Sequence, residues 1–131
     1  MNLPMFHMIS GAPAPVAPFS HACEIDGWVF VTGQLPIQPG NETAMLPDGI
    51  EAQTKLTLDN LVTVLEGLGL ELGNVVCARA FLTHFHEDYD RFNDVYRSYF
   101  PDGALPARTC IGVTGLARHG RVEVDFIARR P

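Results

Sequence analysis

Asp26-Gly27 stands between two β-rich runs, Ser20 to Ile25 and Trp28 to Thr32. A two-residue link of this type closes a hairpin through a primed turn, because both residues tolerate positive φ and the turn matches the twist of the strands. The chain is therefore committed early to an antiparallel pair, and the rest must build onto it. Upstream, Phe6 to Ile9 reads as a short edge strand. Ser10 to Pro18 carries Pro13, Pro15 and Pro18. It reads as an extended crossing loop, since each proline fixes its own φ and biases its predecessor away from helix.

After the hairpin, Leu35 to Gly49 is rich in proline and glycine and reads as a loop. The apolar period then changes. Leu58, Leu61, Val62, Leu65 and Leu68 form one helical face. Asp48 and Glu51 read as a capping box at its start, and Gly67 and Gly69 as its end. Val75 to Thr83 is apolar on both faces except at Arg79 and reads as a central, covered strand. Asp88 or Asp90 is expected to cap a second helix carrying Tyr89, Phe92, Val95, Tyr96 and Tyr99, closed by Pro101. Thr109 to Val113 and Arg121 to Ala128 supply the last strands. The order β-ββ-α-β-α-ββ is that of an α+β fold. It implies one domain over residues 1–131, a two-layer sandwich with two helices on one face of a mixed sheet. The opposite face, which includes Ile111 and Val113 or their neighbours, has no helix left to cover it. Other copies of the chain are expected to do so.

Composition narrows the function. Apolar residues make up 47% of the 131 and charged residues 18%, enough to bury a core. The net charge of −6 argues against a nucleic-acid surface. Three cysteines, Cys23, Cys77 and Cys110, with no C-x-x-C pair, fit neither a disulfide framework nor a zinc knuckle and suggest a cytoplasmic protein. The first residues lack a basic stretch and do not read as a signal peptide, and no apolar run nears the roughly 20 residues that span a bilayer.

The chemistry concentrates near the C-terminus. Arg108 follows a Pro106-Ala107 corner at the mouth of a strand, and Glu123 interrupts the apolar run Val122-Glu123-Val124-Asp125. An arginine fork grips a small carboxylate at two points, and a semi-buried glutamate activates a water. Meeting in one cleft, they would make a cofactor-free hydrolytic pocket for a small organic acid. Each also has a plainer reading: Arg108 as a salt-bridge partner, Glu123 as part of an exposed sheet face, Cys110 as a small apolar side chain, Asn93 as a residue bonding within its own helix. His84-Phe85-His86-Glu87-Asp88 has the spacing that opens a zinc hydrolase site. Only His119 follows it, so a polar strand-to-helix loop is the better reading and no metal is expected. His21 could edge the pocket.

Seven ordered pieces carry a resemblance. They are Ala17-Pro18-Phe19-Ser20, Val29 to Gln34, Gln53-Thr54 through Leu61, Phe81-Leu82-Thr83, Phe92 to Tyr96, Pro106 to Cys110, and Val122-Glu123-Val124. With these gaps the chain, from Ala12 to Arg129, resembles the RidA/YjgF family, also labelled endoribonuclease L-PSP. The resemblance implies a chorismate-mutase-like homotrimer with sites in the clefts between subunits. It implies hydrolysis of reactive enamines and imines, such as 2-iminopropanoate and 2-iminobutanoate, to 2-keto acids and ammonia, without a metal or organic cofactor. Relatives acting on 3-aminoacrylate or 2-aminomuconate belong to the same range, as do non-catalytic binders of keto acids or amino acids. By resemblance Arg108 binds the carboxylate, with the Cys110 backbone N–H beside it, Glu123 positions the water, Gly33 lets backbone approach the substrate, and Asn93 lies near the site. Phe19 stands where many members carry tyrosine, so that hydroxyl is lost. RNA cleavage fits poorly with an acidic chain lacking a paired histidine or lysine.

Overall fold

A computed structural model describes residues 2–131. Eight elements follow in chain order: β1 (Met5–His7), β2 (Ala22–Ile25), β3 (Trp28–Gln34), α1 (Ile50–Gly67), β4 (Val75–Leu82), α2 (Phe85–Arg97), β5 (Ala107–Gly112) and β6 (Val122–Arg129). Single 3-10 turns cover Leu72–Asn74 and Ala117–His119. The strands form one mixed sheet in the order β1-β2-β3-β6-β4-β5, in which only β4 and β5 run parallel. The expected α+β architecture and element order are both present.

The hairpin is built as its sequence dictates. Asp26 and Gly27 have φ of 52° and 80°, and Ile25 pairs with Trp28. Alternation then sorts the strands into an inner and an outer face. Val29, Val31, Ala78, Ala80, Leu82, Val122, Val124, Phe126 and Ala128 are buried on the inner face, under Leu58, Leu61, Val64 and Leu65 of α1 and Phe92 and Tyr96 of α2. Each of the valine, leucine and phenylalanine side chains among them stabilises the fold by roughly 1.5–3 kcal/mol through removal from water.

Several boundaries differ from expectation, each for a tertiary reason. The edge strand is Met5–His7 rather than Phe6–Ile9, because the Ile9 N–H leaves the sheet to donate to His21 Nδ1 at 2.8 Å. His21 Nε2 in turn bonds the Pro13 carbonyl oxygen at 2.7 Å. His21 is thus a buried staple for the crossing loop, not the edge of a pocket. Asp48 forms no capping box. The chain enters α1 through Gly49 at φ 90°, a conformation glycine takes without strain, and the Gln53 amide donates to Pro47 O. The α2 helix starts at Phe85, ahead of both expected caps. Asp88 lies inside its first turn, 3% exposed, and accepts two hydrogen bonds from Arg121.

β4 is internal, but its outer face is not covered within the chain: Val76 is 44% exposed. Trp28, Phe30 and Ile111 share that outer face and are also exposed. No described helix is long and apolar enough to cross a membrane.

Candidate functional site

β5 lies at the sheet edge, and Arg108 leaves it on the helix side, opposite Ala78 of β4. α2 meets it with an aromatic wall. The Arg108 Cζ lies 4.9 Å from the Tyr96 ring centroid, 5.5 Å from Phe92 and 6.0 Å from Tyr89. Its Nη2 lies 3.5 Å from the Tyr89 hydroxyl. Five of the other arginines pair with a carboxylate, yet among the described residues none lies within ion-pair distance of Arg108. The salt-bridge reading therefore has no partner among these residues. Ring faces hold the guanidinium by its quadrupole attraction and leave its N–H edge free for an anion.

Arg108 lines a cleft of about 350 Å³ together with Tyr89, Asn93, Tyr96, Arg97, Leu105 and Pro106. That volume suits a small molecule. Cys110 follows two residues on along the same strand face, half-buried, and burial pushes its thiol pKa up while Arg108 opposes this. A thiol so placed is a poor nucleophile and a reasonable lining group. Burial also pushes the Tyr96 hydroxyl up to about 12, so it stays neutral.

Glu123 lies on the other face. β6 turns Val122 and Val124 inward and Glu123, Asp125 and Ile127 outward. The β3–β6 register slips between Val31 and Gln34, where Thr32 and Gly33 together oppose Asp125. Such bulges re-aim side chains beside functional sites. A Cβ on Gly33 would lie 2.2 Å from Glu123 Oε2, so the missing side chain makes room for this carboxylate. The resemblance instead assigned that space to substrate. Burial raises the Glu123 pKa, Asp125 raises it further, and Arg79 opposes both. Phe19, 36% exposed, lines a shallow hollow with Gly33, Pro13, Pro15 and Val16.

The six candidates thus fall into two groups. Arg108, Asn93 and Cys110 lie on the helix side; Gly33 and Glu123 meet on the other, and Phe19 lines the hollow beside Gly33. Within one chain, Arg108 and Glu123 do not line a common cavity, so a single copy does not hold the cleft in which they would meet. The edge position of β5 and the outward turn of β6 set them apart. Residue reading also missed Tyr89 and Tyr96 as site walls, placing them only on the second helix. Their signal was the spacing Tyr89, Phe92, Asn93, Tyr96, which puts all four on one helical face just before the arginine strand.

His84, His86 and Asp88 do not gather: Asp88 pairs inward with Arg121, and His84 Nδ1 lies 2.9 Å from Thr83 Oγ1. Among the described residues no three His, Cys, Asp or Glu side chains cluster as a metal would require.

Fold and cleft together define a small α+β protein that presents an arginine pocket of small-molecule size. Residues 9–130 match the family model described as Endoribonuclease L-PSP. A RutC family protein of Synechocystis is 37% identical over 120 residues, 92% of each chain. The 2-iminobutanoate/2-iminopropanoate deaminase of Mus musculus is 34% identical over 117 residues, 89% of this chain and 84% of its own. Among solved structures, E. coli TdcF with bound serine matches with a TM-score of 0.86 at 27% identity, covering 95% of this chain and 99% of that one. The chain belongs to the RidA/YjgF family.

Proposed function

We propose that this protein is a cofactor-independent hydrolytic deaminase of small 2-imino acids and their enamine tautomers, of the 2-iminopropanoate/2-iminobutanoate type. The observation that carries the reading is Arg108: a guanidinium held on aromatic faces, at the wall of a small cleft, with no acid of its own. Such a group is built to receive a carboxylate from outside the chain. The deaminase name of the mouse relative and the serine bound to TdcF both concern small amino or imino acids, and they support the same ligand class here.

In this reading the active unit is a homotrimer. The Arg108 cleft of one copy faces the Phe19, Gly33 and Glu123 group of another. The exposed apolar residues of the outer sheet face support contact between copies. Arg108 and the Cys110 backbone N–H hold the substrate carboxylate, and Asn93 and the ring of Phe19 border it. A protonated imine is already electrophilic. Water adds to the C=N carbon, Glu123 takes a proton from that water and returns it to nitrogen, and ammonia leaves as Glu123 takes the remaining hydroxyl proton and the carbonyl forms. Glu123 is suited to this exchange, since burial and Asp125 lift its pKa toward the working range. RNA cleavage is disfavoured, because the cleft is lined by neither histidine nor lysine.

A second reading has one observation in its favour. A single chain offers the Arg108 cleft without Glu123, a site for binding a keto or amino acid but not for turnover. Coupling the protein to a threonine dehydratase with semicarbazide as imine trap separates the two. Deamination predicts faster keto-acid release and less trapping, lost in Arg108→Ala and reduced in Glu123→Ala. Keto-acid binding with unchanged trapping would favour the binder.

A further inference from the structure

Glu123 is not alone on the outer face. Asp125 lies two residues along β6 on the same side, and Arg79 of β4 stands directly opposite Asp125. Arg79 grips Asp125 with two groups: Nε at 3.1 Å from both carboxylate oxygens and Nη2 at 2.8 Å from Oδ2. Asp125 is largely buried by this contact, while Arg79 remains more than half exposed. The same guanidinium sits 5.9 Å from the ring of Phe81, the residue directly opposite Glu123. Arg79 is therefore the diagonal neighbour of Glu123, a position from which long side chains interact across strands.

Among the described residues the flanking strands bring no further charged side chain beside Glu123; in the assembly proposed above, Arg108 of the facing copy is the charge that would be added. β3, on the other side of β6, supplies no titratable residue between Trp28 and Gln34. Ala107, Thr109 and Ile111 are the outward residues of β5. Cys77 stands opposite Ile127, four residues from Glu123 along β6. Arg121, two residues before Glu123, is turned to Asp88 and Glu87.

We propose that Arg79 and Asp125 form a positioning pair for Glu123, tuning, in addition to its burial, the pH at which its carboxylate becomes free to accept a proton from water. The proposal rests on the role given to Glu123 above. Asp125 alone would repel a charged Glu123, and Arg79 alone would attract one. Locked together they act as a dipole whose two ends work in opposite directions. An ion pair screened from Glu123 would leave its titration unmoved by either substitution.

The test is a titration of the Glu123 carboxyl by NMR in the full chain with carbon-13 labelled glutamate, its signal identified by its loss in Glu123→Gln. Arg79→Gln leaves Asp125 uncompensated, and the midpoint is expected to move up. Asp125→Asn frees Arg79, and the midpoint is expected to move down. The double variant is expected between the two. Midpoints that stay fixed, or that move the same way in both single variants, overturn the proposal. The acid limb of the turnover profile is expected to follow the same shifts. If the midpoints move as stated but the native chain shows no turnover, the deaminase reading fails and the pair stands. If turnover is found with static midpoints, the pair fails and the deaminase reading stands.

Discussion

At the scale of single residues, Arg108 and Gly33 carry most of the account. Arg108 has no acid partner and sits within 6.0 Å of three ring centroids, so its replacement removes the anchor without stranding a buried charge. Arg108→Ala is expected to cost about 2–5 kcal/mol of 2-oxobutanoate binding by calorimetry. Arg108→Lys should recover only part of this, since an ammonium lacks the planar fork and stacks less well. Gly33 acts through space alone. In Gly33→Ala the new methyl would fall 2.2 Å from the Glu123 carboxylate oxygen, so the glutamate must turn aside. Steady-state kinetics are expected to show a fall in kcat with KM nearly unchanged; a rise in KM alone would mean that the glycine serves the ligand directly. The candidate residues could be named from the chain, since each stood in a distinctive local string. Glu123's face was also readable, because the alternation with Val122 and Val124 sets it opposite the core. Arg108's side was not, because β5 is an edge strand whose alternation is too weak in apolar contrast to show which way it turns.

At the scale of elements, most local signals succeeded, the Asp48–Glu51 cap excepted, and long-range pairings were not foreseen. The β2–β3 hairpin and the α1 face are specified by residues within a turn or two of each other, and both form where expected. The start of α2 was misplaced because Asp88 is claimed by Arg121, 33 residues away, and no local rule foresees that pairing. Tyr96 shows what an element contributes to the site. Its hydroxyl is buried without a partner, while its ring lies nearest to the Arg108 guanidinium. Tyr96→Phe is expected to hold or raise Tm and keep ligand binding, because it removes only an unsatisfied group. Tyr96→Leu should weaken binding through loss of the ring face. A second clamp joins distant elements: Arg130 donates to the buried Glu24 carboxylate and to the Leu68 carbonyl oxygen. The Arg130 hydrogen bond lowers the Glu24 pKa, with His7 adding to it against burial. A depressed carboxylate stabilises the fold above its unfolded pKa, near 4.3, and loses that contribution as pH falls through its folded value. The stability difference between wild type and Glu24→Gln in urea unfolding is therefore expected to be full at neutral pH and to close in acid.

At the scale of the whole molecule, a sheet with one face buried under helices and the other showing Trp28, Phe30, Val76 and Ile111 is an unfinished object. Element order alone showed that no helix remained to cover that face. It could not show that the two groups of candidate residues would lie on opposite faces, since that depends on strand order β3-β6-β4-β5 and on which face each residue occupies. If copies complete one another, Phe30→Glu on the exposed face should shift sedimentation toward smaller species and remove turnover, while leaving the far-UV spectrum of the chain intact. The most direct test mixes two inactive variants. Arg108→Ala and Glu123→Ala are unfolded separately, combined and refolded together, and imine deamination is measured against each variant refolded alone. A site built from different copies predicts that some mixed assemblies regain an intact Arg108 facing an intact Glu123, so that activity returns. A mixture as inactive as its components, with mixed assemblies confirmed by mass spectrometry, would contradict the shared site.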